Sequence, residues 1–227
     1  MSVMRRRKRR IFRRRGLTKI CLTGDGSKTI YSERFGESYH SAHGATKEAM
    51  HVFIEAGYLA VEIAEVSVLE IGFGSGLNAW FTMLKAEELK RATRYETVEL
   101  YPVDEIAAQE FSDDENFLAL HASSWEEPVE MSPWFVLRKM KCDLLLTTFT
   151  QSYDLVYFDA FSPRTQPEMW TKEIFAKLFA VMTSGAVLVT YCAKGDVRRA
   201  MQDVGFEVER LKGPPAGKRE MLRARKN

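Results

Sequence analysis

Apolar residues crowd into one short run, Val66-Ser-Val-Leu-Glu-Ile71, rich in β-branched side chains, and this run predicts a buried strand. Three glycines follow at alternate positions, Gly72, Gly74 and Gly76, and then Leu77 to Leu89, a stretch of helical composition without Pro or Gly. Upstream, residues 16–36 read as an extended, turn-rich segment, with a turn at 23–27 and a short strand at 29–32. Thr46 is placed to cap a helix from Lys47 to about Ala56, closed by Gly57. Downstream, Thr93 to Leu100 alternates loosely as a second strand ending at Glu99, and Phe135–Met140 reads as a third, with Asp143 just beyond it. Tyr153–Phe158 is a fourth strand and ends on Asp159. A loop with two prolines, a helix over 168–182, a strand over 186–191 and a helix over 196–204 complete the alternation. An antiparallel pair, 206–211 with 220–224, closes the chain.

Strands alternating with helices predict an α/β fold: a mostly parallel sheet with helices on both faces. The 227 residues suit one domain, 16–227, with an N-terminal extension over about 16–60. Ligands of such sheets bind beyond the carboxyl ends of the strands, and four predicted strands end at Gly72, Glu99, Asp143 and Asp159. Cys21, Cys142 and Cys192 are odd in number and far apart, with no Cys/His ligand spacing, which predicts reduced thiols in a cytoplasmic protein and no metal site. No apolar run reaches the roughly 18 residues of a membrane span, and the basic start lacks the apolar stretch of a signal peptide.

Charge changes the picture only at the beginning. The formal net charge is +2, yet residues 1–15 hold nine Lys/Arg and no acid; the remainder has 24 bases against 31 acids, a net of −7. A basic arm, expected to be disordered, on an acidic body would hold a polyanion by phosphate contacts. A solvated tail without a role and an Arg-rich transit peptide are the other readings.

The glycine spacing bears on the chemistry. Dehydrogenases favour G-x-G-x-x-G, whereas Glu70-x-Gly72-x-Gly74-x-Gly76 resembles motif I of the class I, S-adenosylmethionine-dependent methyltransferases, a Rossmann-like fold. In that family the loop passes the amino-acid end of the cofactor, and the acid holds the loop and the cofactor's ammonium. Glu99, at the end of the second strand, stands where a carboxylate accepts from both hydroxyls of a ribose. A carboxylate at Asp159 would orient an amine substrate and take its proton. Phe161 and Trp170 offer faces for a stacked base, or else belong to the core. His40 and His43, with no carboxylate between them, are read as surface or hydrogen-bonding residues, and the acids at 113–115 as a helix end or exposed loop.

Further strings carry a sharper resemblance: Phe158-Asp-Ala-Phe-Ser-Pro163, Pro167-Glu-Met-Trp170, Thr190-Tyr-Cys-Ala-Lys-Gly195 with Val197-Arg-Arg199, Lys218-Arg-Glu-Met-Leu222, and Gly44-Ala-Thr-Lys-Glu48 before His51-Val-Phe53. With the glycine segment through Asn78 they resemble the methyltransferase domain of the MnmC family, over roughly residues 29–224. The resemblance implies methylation of 5-aminomethyl-2-thiouridine at the tRNA wobble position, with S-adenosylmethionine as cofactor and tRNA as partner. It implies a cofactor site of Glu70, Gly72, Gly74, Gly76, Asn78, Glu99 and Asp143, with Asp159 facing the aminomethyl nitrogen. Lys194, Lys218 and Arg219 would meet RNA. The bifunctional members carry an FAD-dependent oxidase domain after this one; here the chain ends at Asn227, so no FAD is expected and other enzymes would supply the aminomethyl group. Cys142 stands where many members have glycine. Two other readings remain at this stage: a class I methyltransferase for another amine, and a non-catalytic nucleic-acid-binding protein.

Overall fold

The computed structural model describes residues 18–41, 43–215 and 219–227. The basic stretch 1–15 and Lys218 therefore lie outside the described residues.

An eight-stranded sheet forms the centre. Its strands are β4 (Glu65–Ile71), β5 (Ala92–Val98), β6 (Pro128–Ser132), β7 (Phe135–Met140), β8 (Tyr153–Phe158), β9 (Met182–Thr190), β10 (Glu207–Lys212) and β11 (Glu220–Arg225). The spatial order is β10-β11-β9-β8-β4-β5-β7-β6. The five inner strands β9, β8, β4, β5 and β7 pair in parallel, while β6, β11 and β10 add antiparallel edges. Alternation assigns the two faces. Leu69, Ile71, Val156, Phe158 and Leu188 pack against α5 (Lys172–Val181) and α6 (Gly195–Gln202). Val66, Val68, Leu155, Tyr157, Val187 and Val189 pack against α2 (Leu77–Leu89) and the helix over 45–55.

The predicted strands and the helix after the glycine loop are present, β6 and the helices between β5 and β6 come in addition, and four expected segments differ in detail. Residues 16–36 do more than lead in: β1 (Thr18–Leu22), β2 (Lys28–Ser32) and β3 (Glu37–Ser38) make a separate antiparallel sheet. Its Ile20 and Ile30 pack on Leu77, Ala108, Phe111 and Phe117, joining it to α2, α3 (Glu105–Phe111) and α4 (Glu115–Ala122). The first helix starts from Gly44 rather than Thr46, as α1 (Ala45–Ala49), and continues in wider π-helical turns over Met50–Glu55. The helix expected over 168–182 divides into a 3-10 turn, Pro167–Trp170, and α5, because the Thr171 hydroxyl accepts from the Ile174 N–H and starts a new helix. The next strand begins already at Met182 and carries Gly185, at φ +79, within it. The acids near 113 are helix caps in part: Asp114 accepts from the Phe117 N–H at 3.0 Å, as Asp104 does from Ala107 at 2.7 Å. No helix among the described residues is long and apolar enough to cross a membrane.

Candidate active site

The carboxyl ends of β4, β5, β7 and β8 open onto a cavity of about 600 Å³, within the range that encloses a nucleoside-sized ligand. Its floor is the glycine loop. Gly72 has φ +94, and a Cβ there would lie 2.8 Å from the Asp159 carbonyl oxygen, so only glycine lets β4 and β8 turn away side by side. At Gly74, φ +53, a Cβ would lie 2.7 Å from the Tyr39 ring. Gly76, φ +77, begins α2 and packs near His121 and Phe73; it does not line the cavity.

Two histidines fix the crest of the loop. His121 Nε2 donates to the Ser75 carbonyl at 2.9 Å, and His40 Nε2 meets the Ser75 hydroxyl at 3.2 Å. Burial lowers the pKa of each ring to about 4, so both are neutral around pH 7. Glu99 holds the loop from the next strand: Oε2 accepts from the Gly74 N–H at 3.0 Å and Oε1 from the Tyr101 N–H at 2.8 Å. Burial raises the Glu99 pKa, against the pull of those N–H groups. Each oxygen keeps a second lone pair, and the carboxylate lines the cavity, as a ribose diol requires. Asp143, three residues past β7, lines the cavity too, with Oδ1 accepting from the Leu145 N–H at 2.9 Å.

Asp159 leaves β8 directly into the cavity. Its N–H donates to the Ile71 carbonyl at 3.0 Å, and Asn78 Nδ2 donates to its Oδ2 at 2.9 Å, so both backbone and carboxylate are oriented. Phe161 follows with its backbone held twice, by Gln166 Oε1 on its N–H and by Trp170 Nε1 on its carbonyl. The Phe161 ring lies 4.4 Å from Phe35 and 5.0 Å from Tyr39, an aromatic roof contributed by the N-terminal sheet and the loop leaving it. Glu37 ties roof to wall, with Oε2 accepting from Ser162 Oγ at 3.0 Å and Thr165 Oγ1 at 2.6 Å.

The expected site residues thus separate into three groups. Gly72, Gly74, Asn78, Glu99, Asp143, Asp159, Phe161 and Lys194 meet at the cavity, Lys194 exposed at its rim. Glu70 and Trp170 do not. Trp170 is 6% exposed and packs edge-on to Phe158; it is core and positions Phe161 instead of presenting a stacking face. Glu70 was expected to reach the cofactor's ammonium, but it is fully buried beneath the loop. It shares the parity of Val66 and Val68, so it points at α2, among Thr97, Tyr157 and Asn78. Burial pushes its carboxyl well above the ordinary value, the nearby Asp159 adds to this, and Thr97, Asn78 and Tyr95 offset it only in part. Arg219 is exposed in the β10–β11 connection, away from the cavity lining. The register of Leu222 with Thr190 nevertheless puts that connection on the sheet edge where the cavity opens.

Glu37, Tyr39, Glu48 and Tyr191 line the cavity without having been singled out, and His40, expected at the surface or in a hydrogen bond, is hydrogen-bonded in its wall. A signal existed for Glu48: Ala45, Ala49, Val52 and Phe53 recur at helical spacing on a buried stripe, and Glu48 falls inside it. Among the described residues, no group of three or more His, Cys, Asp or Glu side chains could hold a metal ion.

A family model described as S-adenosyl-L-methionine-dependent methyltransferase matches residues 135–227. The bifunctional tRNA 5-methylaminomethyl-2-thiouridine biosynthesis protein MnmC of Nitrosospira multiformis is 30% identical over 217 residues, 85% of this chain and 34% of that protein. The protein of the same name from Cupriavidus metallidurans is 30% identical over 230 residues, 90% and 33% of the two. The chain therefore spans about a third of the length of the curated relatives it matches. Among solved structures, MNMC2 from Aquifex aeolicus superposes with a TM-score of 0.75 at 25% identity, covering 92% of this chain and 70% of that one. Spermidine synthase from Thermotoga maritima shares the fold, with a TM-score of 0.59 at 14% identity over 92% of this chain and 69% of that one.

Proposed function

We propose that this chain, a class I S-adenosylmethionine-dependent methyltransferase by fold and by its resemblance to the methyltransferase part of the MnmC proteins, methylates the aminomethyl nitrogen of 5-aminomethyl-2-thiouridine at the tRNA wobble position. The observation that carries this reading is Asp159: a carboxylate at the end of β8, aimed by the Asn78 amide, beside the glycine loop and under an aromatic roof.

The donor set fits the cofactor. Glu99 offers paired acceptors for a ribose, the N-terminal end of α2 and the bare glycine backbone suit a carboxylate, and Asp143 suits an exocyclic amine. When bound, S-adenosylmethionine supplies a methyl group on a sulfonium, a good leaving group. The chain's own work is then to present a nitrogen lone pair in line with that methyl and to remove a proton. An amine arrives largely as ammonium at neutral pH; Asp159 would accept its proton and so free the lone pair. Phe161, fixed through Gln166 and Trp170, would set the angle of a base stacked beneath the roof. Lys194 at the rim, and Arg219 on the same edge of the sheet, would meet tRNA phosphates. This reading implies a cytoplasmic protein working after whichever enzymes make the aminomethyl group.

Nucleoside mass spectrometry tests it. tRNA carrying 5-aminomethyl-2-thiouridine, incubated with the protein and S-adenosylmethionine, is expected to gain one methyl at the wobble nucleoside. No gain while the cofactor binds would refute the substrate and leave the methyltransferase class standing.

A further inference from the structure

Lys139 has no exposed surface, and the chemistry above does not use it. It lies on β7 in phase with Phe135 and Leu137, so the strand turns it into the core on the α2 side of the sheet. A cation there needs partners, and the last turn of α4 supplies them: Nζ donates to the Leu120 carbonyl at 2.7 Å and to the His121 carbonyl at 2.8 Å. Nζ also lies 4.9 Å from the centre of the Trp125 ring and 5.8 Å from that of Phe73, a residue of the glycine loop. The end of α4 is thereby fixed beside the loop.

From that end His121 reaches the loop itself. Its ring lies 5.3 Å from the Phe73 ring, and Nε2 donates to the Ser75 carbonyl at 2.9 Å. The peptide joining Ser75 to Gly76 is then held on both sides, since the Gly76 N–H donates to the Phe73 carbonyl at 2.8 Å. A peptide is planar, so these two bonds fix its plane. Gly76 leaves room for the arrangement: a Cβ there would lie 2.9 Å from His121 Nε2 and 3.0 Å from Phe73 Cζ. The third glycine of the motif therefore serves the ring and not the cavity, which it does not line. Ser75 does line the cavity and His121 does not, so the Ser75 oxygen is engaged from outside the chamber. Burial first, with the Lys139 charge adding to it against the Ser75 hydrogen bond, keeps the ring neutral.

We infer that His121 is a positioning residue of the cofactor site and that Lys139 acts through it: together they hold the Ser75 carbonyl away from the N-terminal end of α2, where a carboxylate of the cofactor would sit. An oxygen released from His121 and free to turn toward that end would oppose the partial positive charge of the first turn. The inference rests on the S-adenosylmethionine site and not on the choice of tRNA as substrate.

The test reads cofactor binding and the ring, not turnover. S-adenosylmethionine is titrated calorimetrically onto the unaltered protein, His121→Leu, His121→Gln, Lys139→Met and the Leu/Met double variant, with thermal stability measured beside each. His121→Leu keeps bulk but cannot donate, and should weaken binding by about tenfold. His121→Gln, whose amide can donate to Ser75, should recover most of that affinity even where stability stays lowered. Lys139→Met should weaken binding in the unaltered background and add little once His121 is leucine. A long-range nitrogen–proton NMR spectrum of the unaltered protein should show the His121 ring protonated at Nε2, a readout that needs no variant to fold. Unchanged affinity in His121→Leu overturns the inference, and so does a proton found at Nδ1 instead. Equal losses in the leucine and glutamine variants, in step with stability, would make His121 a packing residue and overturn it too. A Lys139→Met loss of the same size in both backgrounds would remove Lys139 from the path. No binding by the unaltered protein would refute the cofactor site itself, apart from any choice of substrate.

Discussion

Glu70→Gln is expected to raise stability at neutral pH, and to raise it more as pH increases. Glu70 has no exposed surface, and Thr97, Asn78 and Tyr95 beside it compensate its burial only in part. Burial holds its carboxyl well above the ordinary value of 4.5, so the folded chain keeps a proton that the unfolded chain has released. Between 4.5 and the raised native value, the native state binds one proton more than the unfolded state. Stability therefore falls as pH rises through that window, by about 1.4 kcal/mol per pH unit, and the slope vanishes below it. Glutamine has nearly the same volume and cannot titrate, so the slope disappears. Across that window the variant should gain steadily on the unaltered chain as pH rises, seen as a Tm difference that widens with pH. Thermal unfolding of both proteins across that range, followed by circular dichroism, measures the difference, in which other titrating groups cancel. A Tm difference that stays flat or shrinks with rising pH would mean that Glu70 is charged in the folded protein. A tenfold loss of S-adenosylmethionine affinity in the variant would likewise refute the reasoning, since it would make Glu70 a direct partner of the cofactor.

Other perturbations separate the roles of the remaining residues. Asp159→Ala should lower turnover by about 10²–10⁴ while leaving cofactor affinity within about threefold, read by single-turnover kinetics and calorimetry; equal loss of both would remove its role at the amine. Gly72→Ala, whose new Cβ would meet the Asp159 carbonyl oxygen at 2.8 Å from a left-handed backbone, should cost about 2–4 kcal/mol in denaturant unfolding; a neutral effect would mean that β4 and β8 separate easily. Deletion of residues 1–15, which removes nine cationic side chains, should weaken tRNA binding and flatten its dependence on salt; an unchanged slope would make the arm a passive tail.

What could be read from the sequence follows from how local each signal is. The helix over Leu77–Leu89, read from its composition without Pro or Gly, and the apolar strands at 66–71 and 153–158 are local signals, and they stand in the structure as read. That Asp159, Glu99 and Asp143 border the cavity was legible because acids at strand ends need only a strand boundary to be recognised. Glu70 was legible in principle: Val66, Val68 and Glu70 share one parity, and a residue in phase with buried valines is itself buried. The motif's usual reading drew attention to its charge instead of its face. Trp170 was ambiguous because a 3-10 turn gives an aromatic residue no periodicity to read, and its indole N–H finds Phe161 through a loop. The roof was not legible. Phe35, Glu37 and Tyr39 reach their partners across more than a hundred residues, and nothing in a turn-rich segment marks which later loop it will meet. The edge strand β6 lacks a strong signal for a simpler reason: Pro-Val-Glu-Met-Ser alternates over only two apolar residues, Val129 and Met131, and its burial is only partial.

Glu37 grips Ser162 and Thr165 across separations of 125 and 128 residues. A chain leaves the ribosome N-terminus first, at about 5–20 residues per second, so the roof waits many seconds for the wall it must clasp. During that interval β4, the glycine loop and α2 emerge behind it, and the N-terminal sheet can already settle on Leu77 and the helices over 105–122. The roof is then docked on its helices before the loop after β8 arrives to close the cavity. The oldest part of the nascent chain thus takes part in a late step of assembling the site, and a nascent chain halted before residue 162 would carry a glycine loop without the wall that closes its chamber.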